Sequence, residues 1–180
     1  MMCEAPNALF AQGLQARREH RLADARGHFA EAVELCRKDE DRAKLARALT
    51  GLGQIERDLL NFDAALLVYQ EAVDIYRTLD DPLILAHSLR HVGDILRNRG
   101  QLESAALPYM EALKIYRSHE QTRALDLANA LRGYALLKGK TGDTENAWSL
   151  WQEARDLYAR EGVHSGVAEC NAQIVSLKEA

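Results

Sequence analysis

The chain is poor in residues that break or staple structure. Its 180 residues include three prolines and eleven glycines, too few for a long disordered or collagen-like segment. The three cysteines, Cys3, Cys36 and Cys170, are odd in number and far apart, so they suit neither a disulfide framework nor a metal-ligand set. Cys36 and Cys170 fall in apolar stripes and read as small core thiols. No apolar run approaches the ~18 residues that span a bilayer. Met1 to Gly13 lacks a basic start and a long apolar stretch, so no secretory signal or lipidation motif is visible. The cytoplasm is the expected compartment, with no membrane association. Positive charge is in deficit: 23 Lys and Arg against 27 Asp and Glu give a net charge of -4, which argues against nucleic acid as a partner. No GxSxG, phosphate loop or HExxH occurs, so neither an enzyme nor a cofactor is expected.

What the chain has is apolar content of 47%, enough for a core, and a phrase that recurs every 40 residues. Gly13, Gly53 and Gly93 each open one series: Ala twelve residues on, an aromatic at sixteen, Ala at nineteen. The series run Ala25, Phe29, Ala32; then Ala65, Tyr69, Ala72; then Ala105, Tyr109, Ala112. A fourth copy, Ala135, Ala147, Trp151 and Ala154, starts two residues late with Ala in place of Gly. Self-similarity at this period signals a stacked helical array, which acts through an extended surface more often than through a catalytic pocket.

Each repeat reads as two helices and a tight turn. In the second copy Ala46, Leu49, Leu52, Gly53, Ile55 and Leu59 follow helical spacing, and so do Ala65, Val68, Tyr69, Ala72, Val73 and Tyr76. A helical Gly costs ~1 kcal/mol, so three at one phase need a packing reason. Gly and Ala let two backbones approach while the aromatic fills the wedge beside them. Gly100 and Gly142 suit left-handed caps at the end of a first helix; His20 and Leu60 hold that place in the first two copies. Asp80-Asp81-Pro82 marks a helix start. Pro108 falls inside a helix and should kink it mildly. The charged run from Lys38 to Arg42 reads as a solvated turn. The expected helices are 6–19, 22–37, 41–60, 62–78, 82–99, 102–118, 121–140, 143–160 and 165–178, each end good to ~2–4 residues. They make one all-α domain over 1–180, with repeats at about 6–37, 41–78, 82–118 and 121–160. The helix 165–178 is unpaired; its stripe of Val167, Cys170, Ile174 and Leu177 suits a cap over the open end of the core. No comparable cap precedes the first repeat, so that face is expected to be exposed or to take part in self-association, giving a monomer or weak homodimer.

The phase of small and aromatic residues resembles the tetratricopeptide repeat. Leu52-Gly53, Val92-Gly93, Ala65 with Tyr69 and Ala72, and Ala105 with Tyr109 and Ala112 carry the resemblance, which covers residues 6 to about 160. The common period of that family is ~34 residues; the longer repeats here, with Ile75-Tyr76-Arg77 and Ile115-Tyr116-Arg117, are similar to those of kinesin light chain and cell-polarity adaptors. They also resemble bacterial regulatory domains that bind peptides. The resemblance implies a right-handed superhelical array of four helix pairs plus a capping helix, and peptide or protein binding in a concave groove.

In this family the first helix of each pair lines the groove. Transferred position by position, the resemblance implies Asn7, Phe10, Leu14, Arg17 and Arg18 in the first repeat. The second presents Arg47, Thr50, Gln54, Arg57 and Asp58; the third His87, Arg90, Asp94, Arg97 and Asn98; the fourth Asn129, Arg132, Leu136, Gly139 and Lys140. The expected binding set is Arg47, Gln54, Arg57, His87, Arg90, Asp94, Arg97, Asn129 and Arg132. Eight of the twenty lining positions are basic and two acidic, which points to an acidic ligand, since the planar Arg fork grips carboxylate or phosphate with two bonds. Asn129 could hold a ligand backbone through its amide. Against this, the arginines could pair with neighbouring acids, as Arg90 and Asp94 could at i, i+4. The lysine and asparagine clamp of the family's chaperone-binding members is incomplete. Other readings are a sensor for a small signalling ligand or short peptide, and a self-associating scaffold.

His87, His91 and Asp94 lie at i, i+4 and i+7 and could in principle ligate zinc, but Arg90 and Arg97 flank them and would repel a cation; groove or interhelical histidines are the expected reading, with no metal. Trp151 holds the core aromatic place, and Trp148 either covers the junction with the last helix or anchors a partner.

Overall fold

The computed structural model describes residues 4–179. They form helices α1 (Glu4–Arg18), α2 (Leu22–Lys38), α3 (Arg42–Asp58), α4 (Phe62–Tyr76), α5 (Pro82–Asn98), α6 (Leu102–Ser118), α7 (Ala124–Lys140), α8 (Thr144–Arg160) and α9 (His164–Glu179). No strand occurs among the described residues. Every helix expected from the spacing is present. The largest shift is at α7, which starts at Ala124 rather than 121: His119 is extended, at φ -107° and ψ 120°, and Thr122 N–H bonds back to its carbonyl at 3.1 Å, so Gln121 to Arg123 stay in the connection. α6 runs through Pro108 without interruption. Cys3 lies outside the described residues.

One cap closes the first helix of each pair, α1, α3, α5 and α7. His20, Leu60, Gly100 and Gly142 all take positive φ, between 58° and 79°. In each, the next residue bonds to the carbonyl five back: Arg21 to Ala16 at 2.8 Å, Asn61 to Glu56 at 2.8 Å, Gln101 to Leu96 at 2.9 Å and Asp143 to Lys138 at 3.0 Å. This is the Schellman geometry, which satisfies carbonyls that the helix end leaves open. The charged run after α2 is a turn, and Asp41 within it caps α3 by accepting the Lys44 N–H at 2.9 Å.

The helices gather into two compact units, Met1–Ser88 and Leu89–Ala180. In the first, α1, α2, α3 and α4 pack in chain order. Ala25, Phe29, Leu49, Ile55 and Tyr76 are buried in one cluster. The Phe29 ring sits against both Gly13 and Gly51; a methyl group on Gly13 would come within 2.8 Å of it. The outward residues of α1, Ala8, Ala11, Gln12, Gln15 and Arg18, are exposed and small or polar.

In the second unit α6, α7, α8 and α9 pack in order. Tyr109 repeats the arrangement of Phe29, with its ring between Gly93 on α5 and Gly133 on α7; added methyl groups would lie 2.9 and 2.7 Å from it. Trp151 is buried and Trp148 half-buried. Cys170 and Ile174 of α9 are buried, and α9 meets α8 closely where Gly166 faces Tyr158. Cys36 and Cys170 are free buried thiols, and burial pushes the Cys170 thiol up to about 11. No described helix is long and apolar enough to cross a membrane.

Candidate functional site

The two units present different chemistry on the helices expected to line a groove. In the first unit a cavity of ≈ 470 Å³ opens beside α1 and α3. Phe10, Leu14, Arg47, Thr50 and Gln54, all at expected groove positions, line it. Phe29, Tyr76, Leu79 and Ile84 complete the apolar wall, and Asp80 and Asp81 stand at its edge. The Arg47 guanidinium lies over the Phe10 ring, 4.9 Å from its centroid, a cation–π placement that covers the floor without pairing the charge.

Two further arginines on this face share one carboxylate. Arg17 Nε donates to Asp58 at 2.8 Å and its Nη1 to Gln54 Oε1 at 3.3 Å. Arg57 reaches the same Asp58 at 3.2 Å. Glu56, which spacing alone did not single out, is 2% exposed. It accepts from Arg26 Nε at 2.6 Å and Asn61 Nδ2 at 2.9 Å, as a buried carboxylate requires. His87 is half-buried on α5.

In the second unit the charges form a cluster around one carboxylate. Arg90 Nη1 donates to Asp94 Oδ2 at 3.0 Å, and the Tyr109 hydroxyl donates to Asp94 Oδ1 at 2.6 Å. Arg97 lies 3.6 Å from Asp94 and donates to the Gly133 carbonyl at 3.1 Å. Side-chain exposure is only 14% for Arg90 and 10% for Arg97, so these are half-sequestered charges. Burial, then the Asp94 charge, pushes the Tyr109 phenol far up. The second Arg90 nitrogen sits 2.8 Å from His91 Nε2; since guanidinium can only donate, that imidazole nitrogen accepts. His91 is thus engaged by an arginine, and no group of three metal-ligating side chains comes together among the described residues.

The i, i+4 pairing of Arg90 with Asp94 is therefore present, and the acids are closer to the arginines than their numbering suggested. Arg132 shows this most clearly: it donates twice to Glu169, at 2.7 and 2.6 Å. Glu169 comes from α9, an acid that no rule confined to the first helices of the pairs would count. Asn129 accepts the Tyr158 hydroxyl on Oδ1 at 2.8 Å, which leaves its NH₂ to donate. Five of the expected residues thus come together in two places: Arg47 and Gln54 in the cavity of the first unit, and Arg90, Asp94 and Arg97 in the second, where Arg97 also reaches the α7 backbone at Gly133.

Comparison with known proteins agrees with this architecture. The tetratricopeptide repeat matches over residues 4–78 and again over 85–120. No curated protein matches the sequence. Among solved structures, BtubC (BKLC) from P. vanneervenii superposes with a TM-score of 0.79 at 19% identity, over 87% of this chain and 64% of that one. The apo form of RapI superposes with a TM-score of 0.84 at 15% identity, over 93% of this chain and 60% of that one. The chain thus spans less than two thirds of either protein. At such identities the likeness establishes fold alone; with the repeat matches, it shows that the chain belongs to the tetratricopeptide-repeat family.

Proposed function

We propose that this chain is a non-catalytic interaction module that binds a protein partner through an acidic peptide segment. The observation that carries the reading is the sharing of one carboxylate by two arginines. Asp94 serves Arg90 and Arg97 and also takes the Tyr109 hydroxyl. The cluster therefore keeps an excess positive charge at low exposure, where an unpaired charge is costly and an incoming carboxylate or phosphate gains most. Arg90 is the arm of the cluster that a ligand reaches, being the more exposed of the two. The Asn129 NH₂ can take a ligand backbone carbonyl, as amide side chains do in extended-peptide recognition.

The test is fluorescence anisotropy with a labelled Glu-rich peptide, at low and high salt. Arg90→Gln is the informative variant; Arg90→Glu would set a second carboxylate beside Asp94 and confound binding with folding. Wild type should bind in low salt and weaken as salt rises, and Arg90→Gln should lose about tenfold in affinity, the weight of one charge-assisted contact. Binding that ignores both salt and the substitution would overturn the acidic-segment reading.

A further inference from the structure

The cavity of the first unit carries chemistry that the acidic-segment reading leaves unused. Its floor is aromatic, formed by Phe10, Phe29 and Tyr76. Among the described residues Arg47 makes no ion pair; its contact is the Phe10 ring. Asp80, which also lines the cavity, is exposed and likewise makes no ion pair among them. Asp81 beside it is committed, accepting the Ile84 N–H at 3.2 Å at the start of α5. The cavity is thus bounded by one unpaired cation and one unpaired anion over an apolar body. Its ≈ 470 Å³ falls within the roughly 300–1,000 Å³ of small-ligand sites, which are mostly apolar with a few polar groups fixing orientation.

We propose that this cavity binds a small zwitterion with an apolar body, namely an apolar amino acid or a short apolar peptide with both ends free. The ligand carboxylate meets Arg47, its ammonium meets Asp80, and its side chains cover the three rings. A run of acids is disfavoured here, because Asp80 and Asp81 would face it. A plain apolar monocarboxylate leaves Asp80 without a partner. The site is distinct from the Arg90 cluster and does not depend on it.

Isothermal titration calorimetry on the whole chain tests this with leucine, dileucine and trileucine, each free, N-acetylated or C-amidated. At least one free member should bind, and either blocked end should weaken it about tenfold, as the loss of a charge-assisted contact does. In Arg47→Gln the free and amidated forms should bind alike; in Asp80→Asn the free and acetylated forms should bind alike; in Arg90→Gln all affinities should stay as in wild type. The Arg47 and Asp80 side chains are exposed, so unchanged circular dichroism is expected in those two variants, and the blocked ligands test the proposal without any substitution. No binding by any free member up to about 1 mM, a ΔG of only about -4 kcal/mol, overturns the proposal. So does a blocked peptide that binds as tightly as its free parent.

Discussion

Arg132 of α7 and Glu169 of α9 are joined by two parallel hydrogen bonds, Nε to Oε2 at 2.7 Å and Nη2 to Oε1 at 2.6 Å. Glu169 thereby fills the fork that an acidic ligand of the kind proposed would use. The two side chains are 38% and 34% exposed, so solvent screens the pair and it should stabilise the fold by only about 0.5–1 kcal/mol. Glu169→Gln frees the guanidinium at that small cost. The variant should bind a Glu-rich peptide about three- to tenfold more tightly than wild type, and Arg132→Gln more weakly, since one charge-assisted contact is worth about this much. Anisotropy titrations beside urea unfolding separate the two effects; an unchanged affinity in Glu169→Gln would show that Arg132 takes no part in binding.

The glycines give a test with opposite signs at two positions. Replacing a helical Gly by Ala ordinarily stabilises by about 0.5–1 kcal/mol. Gly27 of α2 has open space around it, so Gly27→Ala should show this gain. Gly93 faces the Tyr109 ring at 2.9 Å, and that ring is also held by Gly133 and by its bond to Asp94. It has little room to retreat, so Gly93→Ala should destabilise by about 1–3 kcal/mol, as overpacking does. Chemical denaturation with a common m-value decides both. A stable Gly93→Ala would mean that Tyr109 moves freely and that the repeat's small-residue phase is not steric.

That phase is why the fold was legible in the sequence and the charge state of the site was not. Gly13 with Phe29, and Gly93 with Tyr109, are local pairs at fixed offsets, and period alone exposes them. The second glycine on each ring is different: Gly51 meets Phe29 and Gly133 meets Tyr109 across consecutive repeats, a relation that repeats only twice and did not stand out. Ion pairing is further removed, because it depends on side-chain reach between helices. Arg17 with Asp58 and Arg132 with Glu169 are 41 and 37 residues apart, about one repeat. Glu169 stands outside the first helices of the pairs, so counting charges on those helices alone overstated the free cation on the face. The cavity was legible in part: Phe10, Leu14, Arg47, Thr50 and Gln54 were expected to share a face, whereas Asp80 enters from the connection before α5 and Ile84 from the first turn of α5.

Leu60 offers a stabilisation. It is 72% exposed and holds φ at 63°, where an L-residue costs roughly 1–2 kcal/mol and glycine does not. Gly100 and Gly142 occupy the equivalent place at 77° and 79°. Leu60→Gly gives up little packing and should raise stability by about 1 kcal/mol; the reverse change, Gly100→Leu, should lower it by a similar amount. Thermal midpoints in the two variants should move in opposite directions.

Stability should fall in alkali, and the sign follows from the tyrosines. Burial raises the phenols of Tyr76 and Tyr109 above the ordinary value of 10, and those of Tyr116 and Tyr158 to about 12. Burial likewise lifts the Cys170 thiol from 9 to about 11. In each case the folded chain holds its proton where the unfolded chain has released it. The contribution is complete below the unfolded values and is lost as pH rises through the folded ones. The fold should weaken slightly from pH 9, as the unfolded thiol begins to ionise, and more steeply from pH 10 to 12 as several phenols act together. Each fully differential group adds a slope of about 1.4 kcal/mol per pH unit. Tyr116→Phe removes one such group without changing ring packing. Its unfolding free energy should decline less steeply than wild type above pH 10 while the two curves run parallel between pH 7 and 9. Equal slopes above pH 10 would mean that the Tyr116 phenol titrates alike in the folded and unfolded chain, and so is open to solvent in solution.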